Sequence, residues 1–405
     1  MGEKDKLFLR KQYLDKIRPF IKKDLIKIIT GQRRIGKSSM LKQLMAEIKK
    51  NHPDGNIIFI DKELEKFTAI RNSSDLHRYV KEQLAEGKEN FLFIDEVQEI
   101  DSFQRCLRSL LNQKECDIYC AGSNATMLSG ELATLLGGRY MEFPIHGLSY
   151  SEFLEFNQIV DSTDNLTLYL TLGGMPYQYH LGLDPAIVFE YLKSLYSTIL
   201  LKDVVSRANI RNVALLENLV TYLTDNTGSL FSALNISKYL KSQQINMPIQ
   251  SVINYLRALT NAYFIHKVSR ADIQGLKIFE IGEKFYFEDL GLRNSIRPFN
   301  YRGDIGKLME NAVYLHLLRN NYKVYVGKSG EKEIDFMAEK NGERLYVQVT
   351  YQLVDEIVIQ REFGNLVEIP DNYPKYVVTM DAIQPRNTFK GIIQVSLRNF
   401  LLGTV

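Results

Sequence analysis

The segment from Gly31 to Ser38 constrains the fold of this chain more than any other feature of its sequence. Its eight residues, GQRRIGKS, fit the pattern G-x-x-x-x-G-K-[ST]. Residues 24–30 before it have the composition of a β-strand, and residues 39–49 after it have the apolar spacing of a helix. This order predicts a P-loop, in which main-chain N–H groups and the start of the helix face bound phosphates.

Each residue of the predicted loop has an expected role. Lys37 is expected to place its positive charge at the β- and γ-phosphates, and Ser38 to offer its hydroxyl to Mg²⁺. The residues expected to bind the nucleotide are Gly31, Gln32, Arg33, Arg34, Ile35, Gly36, Lys37, Ser38 and Ser39. ATP and Mg²⁺ are therefore the predicted ligands.

A second motif consists of four apolar residues, 91–94, that run directly into Asp95 and Glu96. A continuously apolar strand suits the middle of a parallel sheet that is covered on both faces. Asp95 is expected to hold Mg²⁺ together with Ser38. Glu96 is expected to orient and deprotonate the attacking water, which makes it a predicted catalytic residue beside Lys37.

A polar strand tip follows at Ser123 and Asn124, where the strand that begins at Cys116 ends. Either side chain can position the water or sense the phosphate, and Asn124 is included among the predicted catalytic residues. Both residue types also suit the N-cap of the helix predicted over 125–136, so the two interpretations stay open. Arg139 then precedes a fifth strand over 140–145.

The order of P-loop, Asp-Glu strand, polar strand tip and arginine before the last strand resembles the AAA-type ATPases. In that superfamily an arginine at the position of Arg139 often reaches the γ-phosphate of a neighbouring subunit. The resemblance therefore implies a catalytic role for Arg139 in trans, which requires at least a dimer. The alternative is a surface arginine paired with an acid.

A narrower resemblance covers nearly the whole chain. It is to the bacterial and archaeal AAA-type ATPases that carry a C-terminal winged helix and a degenerate PD-(D/E)XK nuclease-like domain. The matching stretches are residues 31–38, 93–98, 147–153, 173–176, 202–205, 287–293 and 308–313. The resemblance describes architecture more than biological purpose.

The predicted fold class is α/β. A P-loop NTPase (AAA-type) parallel sheet with a helical lid is followed by a winged-helix domain and an α/β restriction-endonuclease-like domain. The predicted domains are residues 1–148 for ATP binding, 149–207 for the lid, 208–300 for the winged helix and 301–405 for the nuclease-like part, which is expected to be inactive.

Residues 206–300 suggest the winged helix. A helix over 236–242, a turn over 243–247 and a second helix starting at Pro248 precede two strands of a hairpin wing. The apolar face predicted for the second helix consists of Ile249, Val252, Ile253, Leu256 and Leu259. The polar face, which is expected to contact a DNA groove, consists of Gln250, Ser251, Asn254 and Arg257. A protein-interaction unit or a nucleotide lid is the alternative.

The nuclease-like outline has an acid, Glu310, on a leading helix and a second acid, Asp335, on a strand. The Asn341-Gly342 pair predicts a hairpin turn that brings Gln348 opposite Asp335, with Thr350 on the same face. An active nuclease of this class has Glu where Gln348 stands and Lys where Thr350 stands. The four residues are therefore interpreted as a vestigial site that has lost an anionic ligand and its cation.

Composition limits the remaining possibilities. A hydrophobic fraction of 45% is that of a globular protein, and no segment approaches the length of a membrane span. Three cysteines do not make a disulfide framework, so a cytoplasmic location without a membrane partner is expected. A formal net charge of +3 permits nucleic-acid binding without arguing for it.

The leading functional hypothesis is Mg²⁺-dependent ATP hydrolysis coupled to conformational change on DNA or a protein partner. A nucleotide-controlled DNA-binding or adaptor switch with negligible turnover is the alternative, and an active nuclease is a third hypothesis. The candidate partners are ATP, double-stranded DNA, and a second copy of the chain or another protein.

Overall fold

The computed structural model describes residues 8–125, 136–273, 278–297, 300–330, 332–353, 356–380 and 388–404. The helix predicted over 125–136 lies almost wholly outside these residues. The chain divides into two compact units, Met1–His146 with Asn261–Tyr263, and Gly147–Thr260 with Phe264–Val405.

The first unit contains a five-stranded parallel sheet. Its strands are β1 (Ile26–Thr30), β2 (Asn56–Asp61), β3 (Asn90–Asp95), β4 (Asp117–Gly122) and β5 (Tyr140–Pro144), in the order β2-β3-β4-β1-β5. The described helices of this unit are α1 (Lys11–Ile17), α2 (Lys37–Asn51), α3 (Ser73–Gln83) and α4 (Phe103–Asn112). The predicted α/β sheet is confirmed. Because all five strands run the same way, their carboxyl ends meet at one edge, where α/β proteins bind ligands.

The core of the first unit follows from the apolar character of these strands. Every residue of β1 is buried, as are residues 91–95 of β3. Helix α4 buries Phe103, Cys106, Leu107, Leu110 and Leu111, which recur at the spacing of one helix face. Strands covered on both faces in this way are rigid supports for the polar residues that follow them.

Lys27 is a charged exception in the middle of β1, with no exposed surface. Its ammonium pairs with Asp117 of β4, and the hydroxyl of Tyr119 donates to the same carboxylate at 2.6 Å. Burial lowers the pKa of Lys27, and the charge of Asp117 opposes that effect. A lysine is therefore tolerated inside the sheet because a buried acid pairs with it.

The second unit begins with helices. They are α5 (Tyr150–Asn157), α6 (Thr163–Leu172), α7 (Pro185–Thr198), α8 (Val213–Asp225), α9 (Ala233–Ser242) and α10 (Ile249–Asn261), with a π-helix over Ile199–Ser206 that continues α7. Asp203 in the π-helix is buried and pairs with Arg207 at 3.2 Å. None of the helices in the described part of the chain has the length and apolar composition needed to cross a bilayer.

An eight-stranded sheet forms the rest of the second unit. Its strands are β6 (Ile265–Asp272), β7 (Ile278–Phe287), β8 (Lys323–Ser329), β9 (Lys332–Lys340), β10 (Glu343–Thr350), β11 (Lys375–Thr379), β12 (Thr388–Phe389) and β13 (Ile392–Ser396), in the order β12-β13-β11-β10-β9-β8-β6-β7. The accompanying helices are α11 (Leu290–Ile296), α12 (Tyr301–Arg319), α13 (Glu356–Val367) and α14 (Leu397–Leu402). Strand β6 of the predicted wing pairs with β8, so strands from both sides of the predicted boundary at 300/301 share one sheet.

The turn between β9 and β10 has the conformation that its sequence predicts. Asn341 and Gly342 both have positive φ, 52° and 84°, as a two-residue hairpin turn requires. The strands pair from Lys340 with Glu343 as far as Phe336 with Val347. This register is the one predicted from the sequence.

Asp289 organises a tight junction within the second unit. Its carboxylate accepts the N–H of Leu292, which caps α11, and the N–H of Gly174 at 2.7 Å. A Cβ on Gly291 would lie 1.9 Å from the carbonyl oxygen of Leu172, so only glycine allows this approach. Residues from three of the stretches that carry the family resemblance, 147–153, 173–176 and 287–293, therefore have a structural reason to be near one another, since Gly147 also donates to Glu288.

Candidate functional site

The predicted P-loop follows β1 at the carboxyl edge of the five-stranded sheet. Gly31 has φ +144°, and a Cβ there would lie 2.3 Å from the carbonyl oxygen of Ile145, so the turn requires glycine. Gly36 has φ 100° and is the N-cap of α2, which begins at Lys37. The loop therefore ends where the free N–H groups and the positive dipole end of α2 are concentrated.

Lys37 is only 4% exposed. Its ammonium donates to the carbonyl oxygen of Gln32 at 2.8 Å, across the turn of the loop. Gln32 is fully buried, and both polar atoms of its side-chain amide have no hydrogen-bond partner within the described residues. A buried amide without partners is costly, and a bound polar ligand or water removes that cost.

The remaining loop residues divide by exposure. Ile35 is buried in the core, and buried Arg33 pairs with Glu63 at 3.2 Å. Arg34, Ser38 and Ser39 are exposed. Arg34 also has φ 68°, so its backbone follows the left-handed course of the turn. Arg34, Ser38 and Ser39 are therefore the side chains of the loop that a ligand can reach from solvent.

Asp95 ends β3 at the same edge and is 2% exposed. Burial raises the pKa of Asp95 to about 6, while a hydrogen bond from Ser38 and the charge of Lys37 act in the opposite direction. The structure thus brings together the predicted metal residues, Ser38 and Asp95. A hydroxyl and a carboxylate are oxygen donors of the kind that Mg²⁺ takes, so the residues present fit this ion.

Glu96 follows Asp95 with φ 51° and ψ 47°, a left-handed conformation that is uncommon outside glycine. Its N–H donates to Oδ1 of Asp95 at 3.1 Å. Its Oε2 accepts hydrogen bonds from Oγ of Ser123, at 3.2 Å, and from Nε2 of Gln98. Strained backbone of this kind concentrates at functional sites, and here it directs the carboxylate toward the tip of β4.

Two of these contacts bear on the sequence predictions. Of the two strand-tip candidates, Ser123 is the one whose hydroxyl is seen to reach Glu96, while the catalytic role of half-buried Asn124 stays a prediction. Gln98 was not predicted as a site residue. The only signal in the sequence was its place at the end of the stretch 93–98 that supports the family resemblance.

Arg139 lies at the amino ends of the strands, opposite the carboxyl edge where the P-loop lies. Strand β5 runs parallel to β1, with Tyr140 beside Ile26 and Pro144 beside Thr30, so Arg139 is separated from the P-loop by the length of the strand, about 13 Å at ~3.3 Å per residue. The side chain is exposed and donates to Oδ1 of Asn112 at 2.6 Å. Its partner is thus an amide rather than the acid of the alternative interpretation. Arg139 is too far away to act on the P-loop of its own chain, so a catalytic role is restricted to a neighbouring molecule.

The residues predicted to contact DNA lie on α10. Gln250, Asn254 and Arg257 are exposed, Ser251 is half-buried, and Gln250 donates to Asn254 at 3.1 Å. The predicted apolar face is partly wrong. Val252, Leu256 and Leu259 are buried, but Ile249 and Ile253 are 42% and 37% exposed, so the outer face of α10 is mixed rather than polar.

The predicted vestigial nuclease residues meet in the second unit. Oε1 of Gln348 accepts the N–H of Asp335 at 3.3 Å, and Thr350 ends β10 beside Thr379. The prediction that the cluster lacks a cation is wrong, because Lys284 of β7 pairs with Glu310 at 2.8 Å and with Asp335 at 3.4 Å. Sequence reasoning missed Lys284 because it is remote in the chain from the other residues of the cluster and was assigned to the winged-helix domain over 208–300.

Comparisons with known proteins agree with the geometry of the first unit. Residues 23–154 match the family model described as an AAA domain, and residues 163–302 match a domain of unknown function. An uncharacterized protein of Haemophilus influenzae is 34% identical over 380 residues, which cover 91% of this chain and 92% of that protein. An uncharacterized protein of Methanocaldococcus jannaschii is 29% identical over 343 residues, which cover 81% of this chain and 75% of that protein.

Among solved structures, a Walker-type ATPase of Pyrococcus abyssi is similar over 73% of this chain and 97% of that chain, with 14% identity and a TM-score of 0.49. The prediction of an AAA-type domain is confirmed by the family match over residues 23–154. The winged-helix and nuclease-like assignments stay predictions, because residues 163–302 match a domain without an assigned function.

Proposed function

This chain belongs to the same protein family as its Haemophilus influenzae relative and carries an AAA domain, and we propose that it binds ATP with Mg²⁺ and hydrolyses it. One observation carries the proposal. Lys37, the Ser38–Asp95 pair and Glu96 lie together at the carboxyl edge of a parallel sheet, on a glycine turn that opens into the start of α2. Each group that phosphoryl transfer needs from one subunit is present there.

Binding follows from the loop. The N–H groups at the start of α2 and the ammonium of Lys37 attract the phosphates, and Lys37 exchanges the carbonyl of Gln32 for phosphate oxygens. Ser38 and Asp95 would hold Mg²⁺, which when bound neutralises charge on the β- and γ-phosphates. The residues that make these contacts are buried or fixed by the core, so little ordering is required when nucleotide binds.

Glu96 carries the chemical step. Its carboxylate accepts a proton from a water molecule whose oxygen bonds to the γ-phosphorus, while the bond from that phosphorus to the ADP oxygen breaks. Ser123 and Gln98 fix the orientation of the carboxylate through hydrogen bonds to its Oε2. These two residues are therefore positioning residues for Glu96.

Calorimetry on nucleotide-free chain tests the binding step. We expect ATP to bind at a single site, more tightly with Mg²⁺ than with EDTA, and phosphate release to require Mg²⁺. Folded protein with no affinity for ATP or ADP would contradict the proposal. Binding without phosphate release would leave only the switch hypothesis.

We propose in addition that Arg139 completes the site of a neighbouring copy. Its exposed position at the amino edge of the sheet supports action in trans. A mixing experiment tests this role. Lys37→Ala chains keep Arg139, and Arg139→Ala chains keep the P-loop, so each is expected to be inactive alone while the mixture recovers turnover. A mixture that stays inactive, although size measurements with a non-hydrolysed ATP analogue show mixed assemblies, would contradict the role.

The second candidate function is a nucleotide-controlled contact with duplex DNA. It is favoured by the exposed Gln250, Asn254 and Arg257 of α10, and by the charged residues between Asn226 and Ala271, which are all basic. Fluorescence anisotropy with a labelled duplex tests it. Arg257→Ala is expected to weaken binding, while Arg211→Ala, which removes an exposed arginine outside α10, leaves it unchanged. Turnover measured with and without the duplex separates a DNA-stimulated enzyme from a slow switch.

A further inference from the structure

Lys284 lies at the centre of an acidic cluster in the second unit. It is 2% exposed, on β7, and its ammonium nitrogen is 2.8 Å from Oε1 of Glu310, 2.9 Å from Oε1 of Glu333 and 3.4 Å from Oδ1 of Asp335. The three acids come from α12 and β9. The ammonium donates hydrogen bonds to Glu310 and Asp335 and forms an ion pair with Glu333, so three carboxylates surround its three N–H donors.

The carboxylates are fixed around this nitrogen. Oε1 of Glu310 also accepts the hydroxyl of Tyr286 at 2.6 Å, and Oδ2 of Asp335 accepts the N–H of Val349 at 2.9 Å. Gly228 packs so closely that a Cβ there would lie 3.0 Å from the Glu310 carboxylate. The Glu310 carboxylate therefore occupies the space that a side chain at position 228 would need.

A fourth acid adds to the excess of negative charge that the three carboxylates already have over Lys284. Glu362 on α13 is 3% exposed, and its Oε2 has no hydrogen-bond partner within the described residues. Burial raises its pKa, and Asp335 raises it further, whereas Arg361 and Gln348 act in the opposite direction. A buried carboxylate oxygen without a partner, close enough to Asp335 for their charges to interact, indicates that Lys284 does not satisfy all the negative charge here.

We propose that the ammonium of Lys284 occupies the place of a divalent cation in the cluster of Glu310, Glu333 and Asp335. The cluster is closed to Mg²⁺ and Mn²⁺ while Lys284 is present, and it takes a divalent cation once this lysine is removed. An ion that needs oxygen ligands at ~2.1 Å does not fit where an ammonium already sits between those oxygens. Gln348 is neutral at the position where an active nuclease of this class has a glutamate, which also argues against a bound cation in the parent chain.

This arrangement also accounts for the expected lack of nuclease activity. A lysine that stabilises phosphodiester cleavage must offer an N–H to the phosphate. The ammonium of Lys284 is held by ion pairs with three carboxylates, so this lysine stabilises the fold instead of contacting a phosphate. The expected lack of nuclease activity then follows from the contacts of Lys284, and not only from the threonine at position 350.

The test uses the full-length chain without nucleotide and Mn²⁺ alone as the probe. Lys284→Met removes the ammonium and keeps the apolar stem. Lys267→Met is the matched control, because it removes a lysine from the same hairpin whose pair with Glu283, at 2.7 Å, is exposed. We expect Lys284→Met to gain one Mn²⁺ site at least about tenfold tighter than any nucleotide-independent site of the parent chain or the control.

Two further variants locate the gained site. Adding Asp335→Asn to Lys284→Met is expected to abolish the gained site. Adding Glu283→Gln instead removes an acid of the same strand that lies outside the cluster and pairs with Lys267, and it is expected to keep the site. Mn²⁺ should raise the melting temperature of Lys284→Met but not of the control.

Three outcomes would overturn the proposal. The first is a Mn²⁺ site in the parent chain that Asp335→Asn removes and Lys37→Ala does not. The second is folded Lys284→Met that binds no more Mn²⁺ than the parent. The third is failure of Lys284→Met to fold even with Mn²⁺ while Lys267→Met folds, since the ion should then replace the missing ammonium.

Discussion

Two buried lysines with different surroundings distinguish the two units of this molecule. Lys37 at the P-loop is 4% exposed, donates to the main-chain carbonyl of Gln32 and acts on Asp95, while Lys284 is 2% exposed and pairs with three carboxylates. The residue type and the burial are the same. What differs is that three acids hold the ammonium of Lys284, and we expect this difference to decide how readily each ammonium exchanges its contacts for a ligand.

The difference has a simple physical basis. A hydrogen bond to a neutral carbonyl is weaker than one to a charged acceptor, so incoming phosphate oxygens exchange with the carbonyl of Gln32 at a net gain. At Lys284 a phosphate would have to displace three charged carboxylates, so we expect no net gain in free energy from binding there. The pKa of Lys284 shows the balance, because burial alone would lower it but the charges of Glu310, Asp335 and Glu333 raise it. We therefore expect ligand chemistry at Lys37 and structural stability at Lys284.

Turnover should separate the two regions most strongly. Glu96→Gln is expected to lower kcat for ATP hydrolysis by about 100- to 10,000-fold with ATP binding retained, because it removes the general base and keeps the shape of the side chain. Glu310→Gln, the same change in the acidic cluster, should leave kcat unchanged, as should Glu99→Gln at an exposed position near Glu96. Equal turnover in the parent chain and Glu96→Gln would reject the assignment of the base.

Stability should show the reverse order. Lys284→Met is expected to lower the free energy of unfolding by about 3–5 kcal/mol at neutral pH without divalent ions, because it leaves buried acids without their cation. Lys267→Met removes a half-exposed pair and should cost about 1 kcal/mol or less. Urea unfolding followed by circular dichroism measures both. Similar losses of unfolding free energy in Lys284→Met and Lys267→Met would contradict a special structural role for Lys284.

Nucleotide affinity gives the next largest effect. Lys37→Ala is expected to weaken ATP binding by about 10- to 100-fold, the usual worth of a hydrogen bond to a charged group. Lys42→Ala, at an exposed position of α2, is the control and should bind as the parent does. Calorimetry measures the ATP affinity of both variants. Undiminished affinity in Lys37→Ala would show that Lys37 does not contact the nucleotide.

The smallest expected effect concerns a buried acid that faces main-chain donors instead of an ammonium. Burial raises the pKa of Asp289 to about 6, although the N–H groups of Leu292 and Gly174 oppose this. An unfolded aspartate titrates near 3.9, so the folded chain binds the proton more tightly. The contribution of Asp289 to the free energy of unfolding therefore rises as the pH falls through 6, and levels off near pH 4.

Asp289→Asn removes this titration. Between pH 7 and pH 4 the stability of the parent chain relative to the variant should rise by roughly 1 to 3 kcal/mol. Asp184→Asn, at the exposed N-cap of α7, provides the control for loss of a capping carboxylate. A pH dependence that is the same in the parent chain and Asp289→Asn would show that the carboxyl of Asp289 is not the titrating group.

Much of the nucleotide site was predictable because its residues are close in the chain. The roles expected for Lys37 and Ser38 follow from one loop, and those of Asp95 and Glu96 from one strand end. The contacts of Glu96 with Ser123 and Gln98 were less predictable. These contacts depend on which strand lies beside β3, and no single segment of the sequence predicts the strand order β2-β3-β4-β1-β5.

The acidic cluster was predictable only in part. A two-residue turn determines the register of β9 against β10, so Asp335 and Gln348 could be paired from the sequence. Lys284 and Glu362 could not be added to them. They come from β7 and α13, which meet the cluster only through long-range pairing of the eight-stranded sheet.

By itself, the sequence determined the phosphate-binding turn, the acidic strand end beside it and the alternation of strands and helices in the first unit. These features depend on local backbone preferences and apolar periodicity, which act over a few residues. Only the tertiary structure decided which edge of the sheet Arg139 occupies and which acids surround Lys284. Both depend on distances between segments far apart in the chain, and a charged side chain buried in a protein takes its chemistry from the groups that folding places around it.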